Sequence, residues 1–465
     1  YLGRAISGNG LALYNDLATF EPAAMANRFN ITSQQSMEYN AAQNADVFTT
    51  VSEVTAEECK QFLQREPDVI TINGIDETYI VDDKAASEKR KSSREKILSV
   101  LGILSGTKTS DDAFFIINSG RYEFKNKGID LFINALGKLN KDQNLNKEVV
   151  AVIAVPANIS GIYKELQYRL EGKKAVEGHT ELPCTHHIFD HEYDAVLNSL
   201  RENGLNNNSE DKVKVMFVPS YLNGNDGVFN MSYYDLLVGL DLTIFPSYYE
   251  PWGYTPLESL AFSVPTLTTS LAGFGLWVRT YFKKQHPGIT VLDRDDSNYF
   301  EVVDVVVERI AEIASLNKTQ RKKYMKNAKE VSEIALWQNN IIYYKEAYSK
   351  SLEKIQSLGN TYPATKNGKS MEYRKFEVNQ PSWNSVFVSR HLPESLKDLE
   401  ILSKNLWWCW NESAKNLFES VDPQAWEASG QNPIAMLDKV SRKRYKQLEQ
   451  DAEFLANMKS VMAEF

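Results

Sequence analysis

Between residues 96 and 340 short apolar runs recur, each parted from the next by a stretch of helical spacing, and this alternation constrains the fold most. Residues 113–118, 149–155, 213–218 and 240–245 read as buried strands. Between the first two, Ile129, Phe132, Ile133, Leu136 and Leu139 recur every three to four residues, the period of one helix face. Strands that alternate with helices imply a parallel sheet covered on its faces. Upstream, residues 1–95 mix helical stretches with two strand-like runs, 46–51 and 68–72, the second ending in an Asn-Gly turn signal. A charged segment, 82–94, marks the crossover between the two parts, and the polar stretch 203–211 reads as a surface loop. The basic helix at 321–326 and the aromatic helix at 337–348 close the second part.

One loop in this frame carries chemistry. Residues 246–258 read PSYYEPWGYTPLE, directly after the apolar run 240–245 and before a helical stretch at 257–264. In an open α/β sheet, ligands bind at this kind of strand-to-helix junction. Gly253 allows close backbone approach, and a helix N-terminus offers unpaired N–H groups to an anion. Glu250 and Glu258 flank that seat. Donors for a diphosphate and carboxylates for hydroxyls are what a sugar nucleotide needs. For Glu258 there is a structural alternative. Thr255-Pro256-Leu257-Glu258 has the form of a capping box, with Thr255 at the N-cap and Glu258 bonding back to it. Arg121 and Lys127 follow another apolar run, where an arginine fork and a lysine point charge suit a diphosphate.

The loop resembles the signature of the animal and fungal type of glycogen synthase, a retaining glycosyltransferase family. VFTTVSEVTAEE (47–58), DVITINGID (68–76), SGRYEFKNKGIDLFINAL (119–136) and TTSLAGFG (268–275) follow the family's order and spacing over about the first 350 residues. The resemblance implies an α/β fold of two Rossmann-like domains facing a cleft. The first, at 1–95, is expected to be incomplete: YLGRAISGNG looks like a segment just downstream of the family's active-site histidine. The second, at 96–350, is expected to bind the nucleotide sugar. The resemblance makes Glu250, Arg121 and Lys127 catalytic, with both cations on the donor phosphates and Glu250 beside the glucose. It makes Arg4 a third cation, Tyr254 a base-stacking group, Thr255 a phosphate contact and Glu258 a ribose ligand. Trp252 lines the sugar site or belongs to the core, and Gly253 lies against the donor. The segment TQRKKYMKNA (319–328) has fewer arginines than the family's effector-sensing helix, which puts control by glucose 6-phosphate in doubt.

Residues 357–380 read as a linker and 381–465 as a helical segment rich in tryptophan. NLWWCWN and DPQAWEASGQNP resemble the N-terminal region of bacterial-type α-glucan phosphorylase, which points to a piece of a synthase–phosphorylase fusion. Trp407, Trp408, Trp410 and Trp426 sit beside leucines and read as core rather than sugar-stacking groups.

The formal net charge of −9 argues against a nucleic-acid partner and fits a neutral polysaccharide. Cys59, Cys184 and Cys409 are too scattered for a disulfide framework, which fits a cytoplasmic setting. Cys184, His186, His187 and His191 match no zinc spacing, and no run approaches the ~20 apolar residues of a membrane helix. The expected reaction is transfer of glucose from a nucleotide-glucose, UDP-glucose by preference, to an α-1,4-glucan such as glycogen, with retention. No cofactor, metal or membrane is implied, and a homo-oligomer is compatible. With the first domain incomplete, the expected activity of this chain alone is weak or absent. The competing reading is a glucan-binding scaffold or regulatory portion of such a fusion. The cations beside Glu250 weigh against it, because a scaffold has no use for a diphosphate seat.

Overall fold

A computed structural model describes residues 1–79, 83–173 and 183–357. The readings for 358–465, including the tryptophan-rich segment, lie outside the described residues. Six strands form one sheet in the spatial order Ile289–Leu292, Thr266–Thr269, Leu242–Ile244, Phe114–Ser119, Val149–Ala154, Val213–Phe217. Every neighbouring pair is parallel. In chain order this is the doubly wound 3-2-1-4-5-6 arrangement, read from the other edge. Its direction reverses between Phe114–Ser119 and Leu242–Ile244, the place where such sheets open a ligand crevice.

The central strands FFIINS and VVAVIA are buried at every residue, because helices cover both faces. Alternation then splits their side chains between two cores. Phe114, Ile116, Val149 and Ala151 pack with the helices Ile129–Asn140, Ala195–Glu202 and Tyr299–Ser315. Phe115, Ile117, Val150 and Val152 pack with Asp83–Ser105 and Tyr233–Leu237. The charged crossover segment is thus the start of one long helix, which Arg90 and Arg94 fasten to the buried Asp241. Part of the expected surface loop is packed instead. Asn207 is buried and its amide pairs with both backbone groups of Val215, sealing the edge strand.

The smaller Rossmann-like part holds two parallel strands, Thr49–Thr50 and Val69–Ile70, joined by the helix Glu53–Phe62. Its core includes Leu2, Ile6, Leu13 and Phe62, and Tyr249 of the tyrosine-rich loop inserts among them. The helix Trp337–Ser357 returns to this part: Asn340 Nδ2 donates to the Asn73 carbonyl and Tyr344 Oη to Asn73 Oδ1, both at 3.0 Å.

Candidate functional site

Both loops at the switch point touch each other. The carbonyl of Asn126, after the first strand, accepts the N–H of Tyr248 at 2.9 Å and of Tyr249 at 3.0 Å. Gly128 closes the first loop with φ +66, and a Cβ there would stand 2.1 Å from the Pro246 carbonyl oxygen. Only glycine fits such a contact. The result is an ion pair between Lys127 Nζ and Glu250 Oε2, with both side chains nearly nine-tenths buried.

Almost every residue of the second loop is anchored. Arg294, itself buried, donates to the Pro246 carbonyl and lies over the Tyr248 ring, its guanidinium 5.4 Å from the centroid. Tyr248 Oη donates to Asp296 and Tyr249 Oη to Glu58 Oε2, the latter at 3.0 Å. Ser52 Oγ donates to the Pro251 carbonyl at 2.7 Å, and the Phe274 N–H to the Trp252 carbonyl at 2.7 Å. Glu58 and Ser52 come from the smaller part, so this loop is gripped from both sides.

Two sequence expectations change here. The helix starts at Tyr254, three residues before the expected 257, and Gly253 is its N-cap at φ 114 with no side-chain bond. The capping box therefore does not form. Glu258 sits well inside the helix and accepts from Tyr234 Oη at 2.9 Å, and burial raises its carboxyl above the usual range. The uncapped first turn leaves N–H groups for water or an anion. Trp252 is core: it is 3% exposed and packs on Phe274 and Trp277. Tyr254 is exposed at the helix start, and Thr255 is half-buried behind it.

Arg4 and Arg121 both meet Glu123. Arg4 donates to its two oxygens at 2.8 and 3.1 Å, and Arg121 Nε lies 3.0 Å from Oε1. The cation from the first helix thereby joins the one from the sheet's edge, and the Glu123 carbonyl accepts the Lys127 N–H at 2.8 Å. The histidine group lies elsewhere: His186 bonds to Thr185 and the Asp226 carbonyl, and Cys184 to the His186 carbonyl.

A sequence model described as Glycogen synthase matches residues 1–173 and 173–391. The chain belongs to the glycogen synthase family. Residues 392–465 match a second model, described as Protein of unknown function (DUF3417). Glycogen (starch) synthase of Caenorhabditis elegans is 30% identical over 412 residues, covering 76% of this chain and 61% of the relative. Isoform 2 of Saccharomyces cerevisiae is 30% identical over 420 residues, covering 76% and 60%. The Neurospora crassa enzyme is 28% identical over 429 residues, covering 80% and 60%. The chain thus spans about three fifths of the length of these curated relatives.

Within this member of the glycogen synthase family, sequence reasoning missed Glu123, Asn126, Glu58, Ser52, Arg294 and Tyr234. Glu123 and Asn126 stood inside the quoted GRYEFKNKG stretch, and Ser52 and Glu58 inside VFTTVSEVTAEE. Arg294 and Tyr234 carry no local signal; only the fold brings them to the loop.

Proposed function

We propose that this chain carries the donor side of a retaining glucosyltransferase, moving glucose from UDP-glucose to the terminal 4-hydroxyl of an α-1,4-glucan such as glycogen. The observation that supports this most is that one loop at the sheet's switch point carries both Lys127, paired with Glu250 just ahead of an uncapped helix N-terminus, and Glu123, which holds Arg4 and Arg121. A diphosphate leaving group gains charge as its bond to the anomeric carbon breaks, and fixed cations lower that barrier. Arg121, Lys127 and Arg4 take the diphosphate, with the first-turn N–H groups and Thr255. Glu250 holds glucose hydroxyls and supports positive charge on the anomeric carbon. The acceptor oxygen attacks from the face that the phosphate leaves, so configuration is retained, and its proton passes to the departing phosphate oxygen. Glu258, oriented by Tyr234, takes the ribose hydroxyls, and Tyr254 stacks on the base.

The same reading expects a cytoplasmic protein with no cofactor beyond the nucleotide sugar, in which 381–465 begins a region like α-glucan phosphorylase. No helix among the described residues is long and apolar enough to cross a membrane. Glucose 1-phosphate release from glycogen and phosphate, assayed on a longer chain, checks the phosphorylase part. Calorimetric titration with UDP and ADP tests the donor site. Saturable UDP binding is expected, weakened roughly a hundredfold by Arg121→Ala. A wild-type chain that binds neither nucleotide overturns the reading.

A further inference from the structure

The acid between the two arginines has no part in the reaction as written, yet it is their common partner. Glu123 Oε1 and Oε2 take Arg4 Nη2 and Nε, and Oε1 also faces Arg121 Nε; Asn126 Nδ2 completes the carboxylate at 3.2 Å. Its side chain is 15% exposed, against 36% for Arg4 and 62% for Arg121. Arg121 meets the carboxylate through Nε at 3.0 Å while most of its side chain stays exposed. Two guanidinium groups this close repel each other and splay into water unless an anion lies between them. Burial works against charge on Glu123, but the bonds from Arg4 and Asn126 win and hold its carboxyl below the usual range. It is an anion when the donor arrives.

We propose that Glu123 is a positioning residue: it bridges Arg4 and Arg121, and holds both guanidinium groups ready for the donor diphosphate. This rests on the donor-site reading above. The alternative role is competition, in which Glu123 occupies the phosphate seat and must be displaced. The two roles differ in sign. A competitor's removal tightens diphosphate binding. A bridge's removal frees two long side chains, each of which must then be immobilised on binding.

The test is calorimetric titration of the full chain with UDP and with inorganic diphosphate, for wild type, Glu123→Gln, Arg121→Ala and the double variant. Glu123→Gln is expected to weaken both ligands roughly tenfold. In the Arg121→Ala background the same change should weaken them much less, because one of its two clients is gone. Glu123→Asp, whose shorter arm reaches one arginine at a time, should fall between. Tighter or unchanged binding in Glu123→Gln overturns the proposal, as does an equal loss in both backgrounds, which a merely structural role would give. NMR titration of the Glu123 carboxyl separates this from failure of the donor reading. Its value should rise in Arg4→Ala; no rise overturns the bridge. Absence of any nucleotide binding with the bridge intact overturns the donor reading and, with it, the function given to the bridge.

Discussion

Lys127 and Glu250 meet where neither has much water, so each is the other's main compensation. Their side chains are 12% and 13% exposed. Removing one partner of such a pair leaves a poorly hydrated charge, whereas replacing both by neutral groups is often tolerated. Lys127→Ala is therefore expected to lower stability by about 3 kcal/mol. Adding Glu250→Gln should restore most of that, measured by urea unfolding, while transfer activity stays lost. A double variant no more stable than the single one sinks this account. The two residues were legible from chemical type and from their place after apolar strands. Glu123 was not, because an acid in a loop of cations reads as one more solvated charge until its partner, 119 residues away, is in place.

The loop and helix that follow show how an element's boundary is set from outside its own sequence. Thr255-Pro256-Leu257-Glu258 has every residue type a capping box asks for, and an isolated peptide would have good reason to form one. In the folded chain the Pro251 carbonyl is tied to Ser52 and the Trp252 carbonyl to Phe274, so the backbone turns at Gly253, before Thr255 can cap. The four apolar runs read as strands lie within a few residues of Phe114–Ser119, Val149–Ala154, Val213–Phe217 and Leu242–Ile244, while Thr266–Thr269 and Ile289–Leu292 went unread, and sequence also lacked these two long-range ties. The consequence is measurable. Loss of a true Thr N-cap costs about 1 kcal/mol, yet Thr255→Ala should change stability by less than about 0.5 kcal/mol, as for substitutions away from buried features. The same variant should weaken UDP binding if Thr255 touches phosphate. A full-sized loss in urea unfolding would bring the capping box back.

At the scale of the whole molecule, parallel α/β architecture followed from the alternation of strands and helices, but the strand order did not, since nothing local says which neighbours pair. Nor did the sequence show that the smaller part grips the tyrosine-rich loop through Glu58. That helix residue is 6% exposed, bonded to Tyr249 on one oxygen and unpartnered on the other, with Gly3 pressed against it because a Cβ there would lie 2.0 Å from Oε2. Burial lifts its carboxyl from 4.5 to about 7, with the Tyr249 hydrogen bond pulling the other way. The folded chain thus keeps a proton that the unfolded chain releases near 4.5, so stability from this group is whole below that pH. It declines as pH rises towards about 7, where the folded form also ionises, and is level beyond. The full swing is on the order of 3 kcal/mol. Glu58→Gln keeps the shape and removes the titration, so urea unfolding at pH 5 and pH 8 should show wild type losing more stability than the variant over that interval. Equal losses would mean that the carboxyl ionises without penalty and is not enclosed as described. An ionised Glu58 is a buried anion facing Tyr249, the immediate neighbour of Glu250. Above about pH 7 the Tyr249 hydroxyl therefore donates to an anion, a stronger bond that offsets part of the desolvation cost while the rest appears as the lost stability.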